Sequence, residues 1–215
     1  MICVVVSDTH GYKVALPDGD ALIHCGDMST DGSAQAIDRA LFWMSRQMHR
    51  YKVCIAGNHD WEFELAPENA RSLVPRGVTY LENSGCVIAG LHFWGSPYTP
   101  AFCNFAFNEE RGAIGKHWQL IPDNVDVLMT HGPPRGVRDL VEGAGHEGCE
   151  QLRQRLVALS PRAHLCGHLH SGHGYDYLGE TLVVNASICD ERCRPTNKPI
   201  VIEVLPGQRA KFIPY

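Results

Sequence analysis

The sequence predicts an α/β fold, and three observations predict it. Short apolar runs recur as buried strands, amphipathic helical patterns separate some of them, and several runs end directly in Asp, His or Asn. Nothing in the 215 residues repeats, and no low-complexity tract or linker-like shift of composition divides them, so residues 1–215 are expected to form one domain.

The elements follow in order. Ile2 to Val6 reads as a first buried strand and lacks the charged start and small-residue cleavage site of a secretory leader. Ala21 to Ile23 reads as the second strand. Ile37, Leu41, Met44 and Met48 then fall at helical spacing, which predicts an amphipathic helix over Ser33 to His49 covering one sheet face. Val53 to Ala56 and Val125 to Met129 read as further buried strands, Gly85 to Gly95 as another strand. Cys149, Leu152, Leu156 and Leu159 repeat the helical pattern until Pro161 ends it. The short Ala163 to Cys166 run, Thr181 to Ala186 and Pro199 to Val204 complete the strands. Alternation early and strand-rich text late imply more than one sheet, or a mixed sheet.

Composition narrows the function. With 19 Lys plus Arg against 24 Asp plus Glu, the formal charge of −5 argues against a grip on long nucleic acid or on anionic membrane. A phosphorylated substrate must then be attracted locally. No apolar run approaches the roughly 20 residues that cross a bilayer. Nine cysteines, an odd number, mostly sit inside apolar runs as small hydrophobes, and a reducing cytoplasm is the expected setting. Cys189 and Cys193 are candidates for a redox pair or a soft-metal site, but no second cysteine pair lies near them at zinc-site spacing.

Five blocks carry the chemistry: Asp8-Thr9-His10, Gly26-Asp27, Gly57-Asn58-His59-Asp60, Thr130-His131-Gly132 and Gly167-His168-Leu169-His170. Each directly follows one of the apolar strands, which would gather ligands far apart in sequence at one sheet edge. Carboxylate, imidazole and amide donors without cysteine suit Zn, Mn, Fe, Co or Ni. Two such ions about 3.5–4 Å apart share a carboxylate and a hydroxide of lowered pKa, and neutralise phosphate oxygens during in-line attack. Phosphoester hydrolysis follows from the donor set.

In this order the blocks resemble those of the calcineurin-like metallophosphoesterases, over Asp8 to His170. Ser7-Asp8-Thr9-His10-Gly11, Leu22-Ile23-His24-Cys25-Gly26-Asp27, Gly95-Ser96-Pro97-Tyr98-Thr99-Pro100, Thr130-His131-Gly132-Pro133-Pro134 and Val184-Asn185-Ala186-Ser187 are similar to a subgroup of small metallophosphodiesterases, close to the class III cyclic nucleotide phosphodiesterases. The resemblance implies a four-layer α/β/β/α sandwich and two divalent ions. It implies Asp8, His10 and His170 at the first ion, Asn58, His131 and His168 at the second, and Asp27 between them. His59 stays free of metal and faces the phosphate or protonates the leaving group. Asp60 either orients the His59 ring or caps the following helix or turn.

The departures from related phosphatases carry information too. The Ser/Thr protein phosphatases of the superfamily follow their Gly-Asp with Asp-Arg-Gly and end the next block in Glu. Here the text is Gly26-Asp27-Met28-Ser29-Thr30-Asp31-Gly32 and Asn58-His59-Asp60. Without that arginine, a small nucleotide or aryl diester is the expected substrate, ahead of a phosphomonoester. A protein-interaction scaffold on the same fold is the alternative from another class, although no ligand residue is missing here.

The remaining candidates read more simply. Ser96 to Gly112 is aromatic without a clean period, and Tyr98, Phe102, Phe105 and Phe107 are expected either to pin the loop to the body or to rim the site over substrate. His24 is expected in the core behind the ligands; His49, His92, His117, His146, His164 and His173 as structural or surface residues. Asn185 would close a turn or brace a ligand histidine. Arg135 and Arg138 are expected on a solvated face, and Gly143, Gly145 and Gly148 as a flexible entry to a helix. Oligomeric state is not legible.

Overall fold

Strand β1 (Ile2–Val6) has Cys3 and Val5 on one face and Val4 and Val6 on the other, and all four are fully buried. A strand buried on both faces needs a covering layer on each side. The computed structural model, which describes all 215 residues, supplies both layers. After β1 come β2 (Ala21–Cys25), α1 (Ala34–Ser45), β3 (Tyr51–Ile55), α2 (Glu62–Leu65), α3 (Pro67–Ser72), β4 (Thr79–Tyr80), β5 (Ser84–Ile88) and β6 (Leu91–Ser96). The middle of the chain holds β7 (Thr99–Pro100), β8 (Asn108–Glu109), α4 (Gly115–Trp118), β9 (Val127–Thr130), β10 (Leu140–Val141), β11 (Gly145–His146) and α5 (Glu150–Leu159). It ends with β12 (Ala163–Cys166), β13 (Gly174–Leu178), β14 (Thr181–Asn185), β15 (Ile200–Glu203) and β16 (Lys211–Phe212).

Two six-stranded sheets result, in the orders β16-β15-β1-β2-β3-β4 and β13-β14-β12-β9-β6-β5. In the first, β1 to β4 run parallel and β15 and β16 are antiparallel additions; in the second, β14, β12, β9 and β6 run parallel between antiparallel edges β13 and β5. Val5, Ile23 and Val53 of one sheet pack on Phe93, Met129 and Leu165 of the other. The opposite faces are covered by helices: Ile37, Leu41 and Met44 of α1 on Val4, Val6 and Leu22, and Leu152 and Leu156 of α5 on Trp94 and Leu128. The architecture is therefore the expected α/β/β/α sandwich.

Three elements differ from expectation. Gly85 to Gly95 is a hairpin, because Ala89 and Gly90 both take positive φ (50° and 79°), which turns the chain between β5 and β6. The helix predicted over Ser33 to His49 has Ser33 as its cap, accepting from Ala36 N, and stops at Ser45. The side chains of Ser45 and Gln47 satisfy the carbonyls of Phe42 and Trp43 at its end, and Met48 is left 94% exposed. The segment Ser96 to Gly112 contains an ordered parallel pair, β7 with β8, tied to the body by Ala106 N donating to Asn58 O at 3.0 Å.

Candidate metal centre

The five blocks leave the sheets at the C-terminal ends of parallel strands, Asp8 after β1, Asp27 after β2, Asn58 after β3, His131 after β9 and His168 after β12. The two sheets meet there: Ser7 N donates to Ala186 O and Ile188 N to Ser7 O, joining β1 of one sheet to the end of β14 of the other. Turning several of these side chains inward strains the backbone. Asp8, His10, Asp27 and His168 all hold positive φ, at 52°, 44°, 52° and 68°, a conformation that costs a non-glycine residue on the order of 1–3 kcal/mol. A Cβ on Gly57 would collide with Asp27 Oδ1, and one on Gly167 with Asp8 Oδ2, so both glycines are required by close approach.

The side chains form two adjoining groups. In one, His10 Nε2 lies 3.4 Å from His170 Nε2, which is itself 3.4 Å from Asp8 Oδ1. In the other, His131 Nε2 lies 2.8 Å from Asn58 Oδ1 and 3.3 Å from Asp27 Oδ1, with the ring of His168 5.0 Å from that of His131. Asp27 faces both, since its Oδ2 is 4.0 Å from His10 Nε2. Asp8 is nearly as central, lying within 4.8 Å of the Asp27 and His131 ligand atoms. Asp27 is the better placed to span the groups because each of its oxygens addresses a different one.

Charge in this cluster is mutual. Burial by itself would raise the carboxyls, but His131 holds Asp27 down to about 2, and His170, His131 and His10 hold Asp8 well below the ordinary carboxylate range. Conversely, burial opposes a charge on His131 and His170, yet Asp27 and Asp8 hold each ring up to about 9. His168 is pushed down to about 4 by burial and by His131. Protons thus supply the positive charge that a metal-free cluster needs. Ring nitrogens of His10 and His170 only 3.4 Å apart, beside a carboxylate, have the spacing and donor chemistry of a divalent transition-metal site, and the residues fit such ions.

Of the groups that hold these side chains, sequence reasoning named His24 and Asn185 and missed Thr9, Thr130, His164 and Ser187. Thr9 Oγ1 lies 2.9 Å from Nε2 of buried His24, which places His24 behind the ligands as expected. Across the sheets Thr130 Oγ1 donates to Gly132 O and receives Nε2–H from His164 at 2.7 Å. Ser187 Oγ sits 2.8 Å from Asp8 Oδ2, and Asn185 Nδ2 donates to Leu169 O and Gly167 O, so Asn185 braces the His168 loop. Thr9 and Thr130 each adjoin a ligand in sequence, but a hydroxyl in that place is too common to single out, and Ser187 lies in a segment that holds no ligand. Arg138, expected on a solvated face, is half-buried and donates to Gly172 O and His173 O. Gly145 and Gly148 lie in and beside the hairpin β10–β11, pinned through Asp139. Cys189 is buried and Cys193 exposed, both as free thiols.

His59 and Asp60 separate. His59 Nδ1 lies 3.2 Å from Thr30 O, and its ring is 5.0 Å from that of His10 and 4.8 Å from that of Phe105. Asp60 neither orients that ring nor caps a helix. It is fully buried and accepts from Met28 N, Ser29 N, Ser29 Oγ and Gly57 N, tying the Asp27 turn to the Asn58 turn. Burial, with Asp27 adding to it, raises its carboxyl to about 6.

The aromatic loop divides likewise. Phe107 is 1% exposed within the core beneath α1, and Tyr98 stacks on His117 at 3.5 Å between centroids, so the expectation that these two rings meet substrate gives way to packing. Phe105 lies against His59. Phe102, 64% exposed, lines a cavity of about 410 Å³ with Pro133, Leu169 and His168.

The chain is similar to several known proteins. The chain is 36% identical to human metallophosphoesterase domain-containing protein 1, over 94% of this chain and 70% of that protein. It is 33% identical to a UPF0046 protein of Caenorhabditis elegans, over 94% and 74% of the two chains. A 42% identical segment also occurs in a probable rhamnogalacturonate lyase C of Emericella nidulans, covering 80% of this chain but only 17% of that protein. Among solved structures, one superposes with a TM-score of 0.74 at 14% identity, covering 99% of this chain and 98% of the other; TT1561 of Thermus thermophilus gives 0.60 at 13%, covering 86% and 88%. These last two show the fold alone. Residues 2–172 match the model of the calcineurin-like phosphoesterase family, and with the two ligand groups at the strand ends, the chain belongs to that family.

Proposed function

We propose that the protein is a binuclear phosphodiesterase acting on small nucleotide or aryl diesters. The observation that carries the binuclear reading is Asp27, whose Oδ1 faces His131 and whose Oδ2 faces His10. Asp8, His10 and His170 would hold one divalent ion, Asn58, His131 and His168 the other, with Asp27 common to both. When bound, the ions supply positive charge for the phosphate oxygens and an acidified water.

The chain's own residues do the rest. His59 donates Nδ1–H to the Thr30 carbonyl, which leaves Nε2 free in a ring 5.0 Å from that of His10. As the water oxygen bonds to phosphorus and the bond from phosphorus to the ester oxygen breaks, protonated His59 gives its Nε2 proton to the departing oxygen. The water's proton leaves to solvent, and an alcohol and a phosphomonoester result. Asp60 keeps the turns of Asp27 and Asn58 in register, and is a positioning residue. Asn58 borders the phosphate as well as the metal, while Phe102 and Phe105 rim the opening.

The diester preference rests on charge. The turn after Asp27 offers Met28, Ser29 and Thr30 in place of a cation, so nothing there meets the second charge of a monoester. The test is kcat/KM for an aryl diester and its matched monoester on protein of defined metal content. Preference for the diester supports the reading, preference for the monoester replaces it with a phosphomonoesterase, and no turnover of either by fully loaded protein favours a binding scaffold.

A further inference from the structure

Beside His10 lies a second cavity of about 310 Å³, distinct in its lining from the Phe102 cavity beside His168. Its wall includes Tyr12 and Lys13 from the turn after the first block, Thr30 from the turn after Asp27, and Arg39 and Trp43 from helix α1. Arg39 and Trp43 are four residues apart on α1, so both project from one helical face. Lys13 and Arg39 are exposed, and neither makes an ion pair or a side-chain hydrogen bond within the protein. Asp31 borders the same cavity with its carboxylate held charged by Ser33 N, Ser33 Oγ and nearby Arg39, so the two cations outnumber the carboxylates of the wall by one. Tyr12, 45% exposed, and half-buried Trp43 add two aromatic surfaces. In a chain of net charge −5, two cations against one carboxylate, with two rings, form a locally positive site for an aromatic anion beside the ligand cluster. The open depression beside His170 offers less, because its Arg192 and Arg194 are balanced by Asp190 and Glu191, Arg194 pairing with Asp190 at 2.6 Å, and its wall includes no Tyr, Trp or Phe.

The link to chemistry is Thr30. Its carbonyl accepts from His59, its Oγ1 donates to His10 O at 2.8 Å, and it lines this cavity. His10, which Thr30 holds, belongs both to the ligand cluster and to this cavity's wall, so an ester group of a phosphate held at the cluster borders the cavity. We propose that the Lys13/Arg39/Tyr12/Trp43 cavity binds the leaving group, and that it selects an aromatic leaving group carrying an additional negative charge, such as a carboxylate or a second phosphate. The proposal rests on the phosphodiesterase reading for its catalytic consequence, and its binding consequence stands separately.

The experiment has two arms. In the first, metal-loaded protein is given two ethyl aryl phosphodiesters, with 4-nitrophenol or 3-carboxy-4-nitrophenol as leaving group. Wild type favours the carboxylated substrate, and the preference ratio falls about three- to tenfold in Lys13→Ala/Arg39→Ala, the scale of two exposed charge contacts. In the second, 3-hydroxybenzoate alone quenches tryptophan fluorescence in wild type, phenol does so more weakly, and Trp43→Phe removes the response. Melting curves check that the variants are folded. An unchanged preference ratio, or a 3-hydroxybenzoate response that survives both Trp43→Phe and the double variant, overturns the proposal. Hydrolysis of neither diester, with turnover of 4-nitrophenyl phosphate, overturns the phosphodiesterase reading instead, and the fluorescence arm then decides the cavity's role by itself.

Discussion

Oδ1 of Asp27 lies 3.3 Å from Nε2 of His131, although the two residues arrive from different sheets and are joined by no local sequence relationship. The same oxygen accepts from His59 N at 2.8 Å, so one carboxylate organises a ligand from the second sheet and the backbone of the proposed acid from the first. Replacement of this side chain should propagate accordingly.

Asp27→Asn should impair metal retention at both positions. One oxygen becomes an amide group, which is a weaker donor and brings no negative charge. Elemental analysis of purified protein decides it. Wild type should carry two ions per chain and the variant fewer than one at equal free metal; a variant that keeps both at wild-type affinity removes Asp27 from the shared position.

His59→Ala should retain its metal and lose about 10²- to 10⁴-fold in turnover, the range for removal of a general acid. Substrates with very good leaving groups should suffer less, because their departing oxygen needs no proton. Equal losses across a series of leaving groups would assign His59 to electrostatic stabilisation of the phosphate instead.

Metal binding should release protons and strengthen with rising pH. His131 and His170 titrate near 9 in the metal-free protein, against an ordinary value of 6.5, so both rings are charged at neutral pH and must lose their protons to bind metal. Calorimetry at pH 7 in buffers of different ionisation enthalpy should count about two protons per fully loaded chain. The same raised values contribute stability to the metal-free fold that is complete below about 6.5 and lost as pH rises through about 9. His24, His164 and His168 act in the other direction: burial pushes them to about 4, 3 and 4, so stability falls as pH drops below 6.5. The metal-free protein should therefore melt highest near pH 6.5, and metal should remove the alkaline decline. Affinity independent of pH, with no proton release, would contradict this charge assignment.

The four aromatic residues of Ser96 to Gly112 should sort into two classes. Phe107→Ala empties a core position and should cost about 3–5 kcal/mol in stability. Phe102→Ala should leave the melting temperature near wild type and weaken aryl diesters by about 1–3 kcal/mol if the ring stacks on them. A Phe102 variant that handles aryl and alkyl diesters alike would confine the ring to the cavity wall.

Sequence alone carried the strands, the two main helices and the ordered set of blocks, because each rests on local information. Apolar runs such as Ile2 to Val6 and spacings such as Ile37, Leu41 and Met44 state their own burial, and the blocks sit in register at the strand ends. Turns were less legible, since Ala89 at positive φ has no propensity to announce it. What only the tertiary structure decided is which side chains share space across the two sheets. It set Asp60 on the backbone of two turns and not on the adjacent His59, buried Phe107 while exposing Phe102 five residues away, and brought His164 behind Thr130 and His24 behind Thr9. Partners of this kind are separated by tens of residues or are chosen by the direction of a strained backbone, and neither the distance nor the direction is written in a residue's own identity or in that of its neighbours.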